Sequence, residues 1–516
     1  MNREIKNVCL SLILNINYCM SLITVIRLIN SMSKVEKRKF KLSSKKQAGK
    51  KDYLDLFNII AEGSFIEPTL VKEKLRELHL EISIDNTASY LLKVLTDCLI
   101  QTKIKEDNTF HLYYGLLRVR LLQTRSLQEE GYKELKKLQQ IAIASQNHFT
   151  EYIIYRQELN YISDLNFTGM TEKDLVEIQM KARDVLKDMR NTQEHYSLYE
   201  LLKYRLVHSG KTLSEESQKQ MNDLILNEMG LVSGRVKKNF ESQKLHLLFQ
   251  SFFFIDIGDY RSALKTFHVL NKLFEHNVAI WNYPPLDYFS SLDGILDSLR
   301  AIRCYEEMDF YIKKMEKLDD PSYPEFFNFL LRKTIMIYQL TVLISNREFE
   351  AAVRLINNSD PNLIKAYGLV DNEKQSELLF CFGLACFNIK KFKKAHKYIN
   401  QVVLIGKINY QSIIYKASRL LGILIQYESN NLEYLDYEIR SYKRSSKNKQ
   451  KLLKTEIIIF KTVILHPAKN NLVKNKILWQ KIAPSIKVIE KDKYEMQLLK
   501  YFDFISWIKN QFKMEN

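Results

Sequence analysis

Five short segments of the chain share one layout of apolar and polar positions. Each has an apolar run with helical spacing, a tight polar turn ending in an aromatic or Leu, and a second run with a small or apolar residue three positions later. The turn residues are Tyr260, Tyr305, Phe349, Phe392 and Leu432, spaced 45, 44, 43 and 40 residues apart. A recurrence of that size marks two-helix units that cannot bury their apolar faces alone and must stack on their neighbours. The pattern predicts an all-α chain whose central part is a row of helical hairpins. Pro284, Pro285, Pro321, Pro324 and Pro361 fall between the expected hairpins, where they break no helix ladder.

The clearest unit runs from Leu245 to Glu275, with Ile257-Gly258-Asp259-Tyr260 as its turn and Ala263, Phe267 and Leu270 following. Gly258 permits the helix-ending conformation, Tyr260 fills the gap between the helices, and Ala263 lets them approach closely. Consecutive Phe252, Phe253 and Phe254 fan around the first helix, as expected of a helix buried on several sides. A second unit, Leu379 to Val403, has Gly383, Phe392 and Ala395 at matching places. Weaker copies carry Phe349 with Ala352, Tyr305 with Met308 in place of Ala, and Leu432 with Leu435.

On these residues the chain resembles tetratricopeptide-like repeats over about residues 240 to 440. Its layout is also similar to a bacterial family of uncharacterised helical-repeat proteins. The resemblance implies a right-handed α-solenoid of stacked hairpins with a concave face for partners. Two departures stand out: the spacing exceeds the usual period of about 34 residues, and no Pro recurs directly after the second helix. Some tetratricopeptide domains grip a partner's C-terminal carboxylate with Lys and Asn on the first helix. Leu248, Phe252, Phe380 and Leu384 stand at the equivalent positions here, so a charged clamp is disfavoured.

Outside the repeats, helical spacing predicts a small N-terminal bundle with helices at 52 to 61, 67 to 79 and from 86 to 100 or beyond. Further helices are expected at 112 to 124 and 129 to 145, with Gly131 and Tyr132 as a hairpin turn. Thr171 with Asp174, and Ser214 with Ser217, have the character of helix starts. The expected segments are an apolar stretch (1–31), a basic flexible lead-in (32–51), a helical bundle (52–110), irregular helical repeats (111–240), the clear repeats (241–440) and C-terminal capping helices (441–516).

Residues 8 to 29 are apolar enough to suggest a membrane span, although Asn15, Asn17 and Arg27 weaken it. No small-residue cleavage site follows, and Met32 opens a stretch that reads as a soluble start. Three readings stay open: an extension upstream of the true start, a membrane anchor, or an ordinary buried helix. Membrane contact is expected only if residues 8–29 insert.

Net charge of +18 invites a nucleic-acid reading, because Lys and Arg displace phosphate counterions. Abundant Lys, Ile and Asn fit an A+T-rich coding bias equally well, and charge alone speaks to solubility rather than target. The runs at 34–51 and 440–454 read as solvated basic segments. Six Cys show no C-x-x-C pair, which fits thiols packed in a reducing cytoplasm.

Gly-rich phosphate loops, H-E-x-x-H and G-x-S-x-G are all missing, and His246, His268 and His396 lack metal-ligand spacing. Pairs such as Glu129 with Glu130 and Asp319 with Asp320 fall in expected turns. No cofactor or enzyme activity is expected. The sequence points to a cytoplasmic protein-binding scaffold or adaptor that takes a protein or peptide on its concave face. The alternative is a peptide-sensing regulator whose N-terminal region binds nucleic acid, a partner the residues disfavour.

Overall fold

The computed structural model describes residues 22–45, 52–63, 67–78, 83–209, 218–219, 221–232, 239–363, 372–405, 412–446, 452–465 and 472–512. Among these every regular element is a helix. The Ser214–Ser217 pair, residues 8–21 of the apolar stretch and parts of both basic runs lie outside the described residues.

The N-terminal bundle comprises Leu22–Ser31, Lys34–Lys45, Asp52–Glu62, Pro68–Leu78 and Ile84–Glu106. It closes around Phe40, Leu56, Phe57, Ile60 and Leu91, all with no measurable exposure. One expectation needs correction here. Residues 34–45 are a helix rather than a flexible lead-in: Ser33 and Glu36 cap its start reciprocally, at 2.8 and 3.1 Å. Of the three readings left open for the apolar stretch, its described part fits the buried helix: Leu22, Val25, Ile26 and Ile29 lie in the same core.

One turn geometry recurs through the middle of the chain. Ser126, Gln146, Gly258, Arg303, Arg347, Lys390 and Asn430 all adopt left-handed backbone, with φ from 50 to 78°. The residue after each donates its N–H to a carbonyl five positions back, as Asp259 does to Phe254 and Lys391 to Cys386. This bond satisfies the orphan carbonyls of the finished helix and reverses the chain within two residues. The turn near 130 is therefore at Ser126. Gly131, with Glu129 and Glu130, lies inside the Gln128–Ala144 helix, where an added Cβ would make only ordinary contacts with the preceding helix, at 3.5 Å or more.

The expected turn residues all open new elements. Tyr260, Phe349, Phe392 and Leu432 each start an α-helix, and Tyr305 starts a short 3-10 turn ahead of the Met308–Glu316 helix. The first helices of the hairpins are Phe240–Asp256, Leu286–Ile302, Glu325–Ser345, Asn372–Asn388 and Ile413–Glu428. Each packs on the second helix that follows it. The last four also touch one another in order, forming an inner layer.

Burial differs between the layers in the way the sequence pattern demands. In Asn372–Asn388 every residue from Gln375 to Phe387 is buried, whereas Phe392–Ile405 buries only Ala395, Ile399 and Val402. A helix apolar all round is enclosed, and one with a narrow apolar stripe lies at the surface. Glu325–Ser345 is the one described helix long and apolar enough to cross a membrane, and its place in this inner layer accounts for that composition.

The last elements do not simply close the far end of the row. Lys454–Leu465 and Leu472–Ile489 extend it. Lys493–Leu499 and Phe504–Gln511 then turn back, the former lying against both Ile413–Glu428 and the distant Leu286–Ile302.

Candidate functional site

The inward face of the Leu286–Ile302 helix carries Asp293, Asp297 and Arg300 among buried apolar residues such as Leu292, Ile295, Leu296 and Leu299. Spacings of three and four residues put all three on one side of the helix. The first two turns of Asn372–Asn388 supply Lys374 and Glu377 opposite them, and the returning C-terminal segment supplies Lys500 and Tyr501.

These residues meet in one network. The Arg300 guanidinium donates to Asp297 Oδ1 at 2.5 Å and Glu377 Oε1 at 3.0 Å. It also lies over the rings of Tyr501 and Tyr338 at 5.0 and 5.6 Å. Lys500 Nζ donates to both Asp297 oxygens, at 2.9 and 3.1 Å, and the Tyr501 hydroxyl donates to Glu377. Lys374 Nζ reaches Asp293 Oδ1 at 2.6 Å, which also accepts from the Tyr338 hydroxyl at 2.8 Å. Arg300, Lys374 and Lys500 thus face Asp293, Asp297 and Glu377, a balanced set in which every charge has an opposite within reach.

Burial and pairing pull the ionisation in opposite directions, and pairing wins. Desolvation pushes the Asp297 carboxyl up, but Lys500 and Arg300 hold it well below the usual carboxylate range. Glu377 is raised by burial and lowered further by Arg300 and Lys374. Lys500 loses hydration, yet Asp297 and the two flanking tyrosines lift it well above an ordinary lysine. Burial raises Tyr260 to about 12, so its ring faces Lys500 as a neutral phenol.

The C-terminal segment is seated at several further points. Gln497 Nε2 donates to the Asp256 carbonyl at 2.7 Å, and Asp503 pairs with Arg303 at 2.8 Å. The Phe502 ring meets Phe387 edge-on, and Trp507 Nε1 donates to Glu428 at 3.1 Å. The segment is a strap lying against four first helices, 240–256, 286–302, 372–388 and 413–428. Leu498, Phe504 and Ile508 are fully buried in it, and at about 1.5–3 kcal/mol for each large apolar side chain such burial makes a permanent fixture.

Beside the ionic network is a cavity of about 630 Å³. Phe252, Tyr260, Ile405 and Tyr415 give it an apolar wall, and Asp293, Glu373, Lys374 and Lys500 a charged one. That volume falls in the range of sites that hold a drug-sized molecule or a few residues of peptide.

Of the residues singled out from the sequence, Tyr260 lines this cavity and Gly258 lies directly under the strap. A Cβ on Gly258 would stand 2.1 Å from the Lys493 carbonyl oxygen. Ala263, Ala352 and Ala395 are fully buried between paired helices, and Gly383 meets Ile399, whose Cδ1 would be 2.6 Å from an added Cβ. Tyr305, Phe349 and Phe392 are half-buried at the turns and do not converge on the cavity. Leu248, Phe380 and Leu384 are core residues. Trp281 stacks on Tyr288 at 4.3 Å, and Tyr283 receives Lys103 of the N-terminal bundle over its ring at 3.7 Å. His246 pairs with Glu228, and His268 with the Tyr311 hydroxyl.

The ionic network itself was not apparent from the sequence. Its one signal is three charges at i, i+4 and i+7 on a helix whose central leucines and isoleucine are buried. Among the described residues no group of three His, Cys, Asp or Glu side chains is arranged to hold a metal. No protein-family model matches the chain, and no curated protein matches it.

Proposed function

We propose that the chain is a right-handed, tetratricopeptide-like α-solenoid. In this reading it works in the cytoplasm as a non-enzymatic scaffold or adaptor, taking a segment of a protein partner at its inner surface. The observation that carries the reading is the inner layer itself. Four first helices lie side by side, and the cavity of about 630 Å³ opens at three of them, 286–302, 372–388 and 413–428, with one apolar and one charged wall. Extended peptides and helices are the ligands such surfaces take. The strap narrows the surface expected from the hairpin pattern. Ligand contact is confined to the cavity side, walled by Phe252, Ser290, Ile405 and Tyr415 and, from the strap, by Lys500.

Selection of a displayed random peptide library on the full chain tests this. Enriched peptides are expected to bind with micromolar affinity and to lose at least about tenfold on Ser290→Trp, which fills the cavity from an exposed position. They should be indifferent to Lys313→Trp on the outer layer. Peptides insensitive to Ser290→Trp, or no enrichment, would overturn the proposal.

A further inference from the structure

The Asn108–Thr124 helix is apolar on two opposite faces, yet only one of them is covered. Leu112, Gly115 and Val119 are buried, while Phe110, Tyr113, Tyr114, Leu117 and Leu121 are 39, 49, 41, 69 and 58 % exposed. At 3.6 residues per turn those five side chains fall within roughly 100° of the helix circumference, a seam about three turns long. The helix is locked in this orientation. A Cβ on Gly115 would stand 2.4 Å from Leu138 Cδ2, so rolling the helix to hide the seam would drive its far side into Gln128–Ala144.

Charge borders the seam on both sides. The same helical geometry puts His111, Arg118 and Arg125 along one edge and Arg120 along the other, and there is no acid between Asp107 and Glu129. Arg118 already reaches out to Glu134 at 3.1 Å, the kind of pairing this border offers. A contiguous exposed patch of several large apolar side chains is uncommon on a monomeric protein and marks a contact surface.

We propose that this face docks an amphipathic helix of a protein partner whose apolar ridge is bordered by Asp and Glu. The seam has the width of a single helix-to-helix contact, and its two basic edges complement carboxylates flanking such a ridge. A second copy of this chain would set basic edge against basic edge. A broad anionic membrane surface would also meet Glu129 and Glu130, which are exposed immediately beyond the seam. The site is separate from the inner cavity and stands or falls independently of it.

The test uses the full chain and two fluorescent 18-residue helical peptides. Both have Leu at i, i+3, i+4 and i+7 spacing; one has Glu at the flanking positions and the other Lys. Anisotropy is expected to give a micromolar dissociation constant for the Glu peptide and at least about tenfold weaker binding for the Lys peptide. Raising the salt from 50 to 300 mM should weaken the Glu peptide. Leu117→Asn with Leu121→Asn should reduce its affinity at least about tenfold with the circular dichroism spectrum unchanged, because both side chains are exposed. Should that pair misfold, Arg120→Glu with Arg125→Glu serves instead and should erase the preference for Glu over Lys. Equal binding of both peptides, or no binding of the Glu peptide, would overturn the proposal. So would a concentration-dependent dimer abolished by Leu117→Asn, or Leu117-dependent binding to phosphatidylglycerol vesicles without peptide binding.

Discussion

Replacing Asp297 with Asn keeps the shape of the side chain and removes the one charge that Lys500 and Arg300 share. Both cations are buried, with side-chain exposures of 9 and 3 %. Arg300 keeps Glu377, whereas Lys500 keeps no carboxylate within hydrogen-bond reach, only the neutral amide oxygen and the faces of Tyr260 and Tyr501, at 5.5 and 4.9 Å. Breaking a buried pair from one side costs about 3–5 kcal/mol, mostly the penalty of the charge left behind. That loss should be concentrated in the strap, so amide hydrogen exchange in residues 493–501 is expected to accelerate by about 10²-fold or more at pH 7. Lys500→Met should cost less, because Asp297 retains Arg300, and the double variant should recover part of the loss. The sign with pH is also determined. Asp297 is held below its ordinary value, so its contribution is complete above about pH 4 and is lost as pH falls through the lower folded value. Hydrogen exchange read by mass spectrometry measures all of this. Unchanged exchange at 493–501 in Asp297→Asn, or a larger effect from Lys500→Met, would refute the reasoning.

Three further outcomes are expected. Gly258→Ala combines a left-handed φ of 78° with a clash against the Lys493 carbonyl, and should cost about 3 kcal/mol or more in urea denaturation, with residues 493–501 losing protection first. Lys333 is wholly buried, with Gln375 and the ring of Phe329 beside its amine, and burial lowers it to about 8. The folded state therefore binds fewer protons than the unfolded one between about pH 8 and 10.5, and stability should rise with pH across that window. Lys333→Met should remove the rise in the urea midpoint; an identical pH profile in the variant would contradict this. Lys390 is exposed with φ 58°, so Lys390→Gly should relieve strain and raise stability by up to about 1 kcal/mol, whereas a loss would show that its side chain matters more than its backbone.

The hairpins were legible because their chemistry is local. Gly258, Tyr260 and Ala263 fall within six residues, and the two layers announce themselves in helices that are apolar all round or along one stripe. Turns at Arg303, Arg347 and Lys390 adopt the same left-handed backbone as Gly258 without the glycine that would signal it, so only the aromatic two positions later marked them. The turn at Ser126 has no such aromatic and was displaced to Gly131 in the sequence reading. The ionic network was illegible for a different reason. Its pairs join residues 77 and 203 positions apart, Arg300 with Glu377 and Lys500 with Asp297, and no periodicity encodes which distant charges will meet. The strap was hidden likewise: residues 493–512 read as terminal helices, and only the space above Gly258 shows where they go.

A crystal structure of the full chain, with side chains placed, is the most direct test of the arrangement at the centre of this protein. It should show helices 286–302, 325–345, 372–388 and 413–428 side by side, residues 493–512 lying against 286–302, 372–388 and 413–428, and the Lys500 amine on Asp297. A chain in which those first helices are not neighbours, or in which residues 493–512 pack on the outer layer, would contradict it.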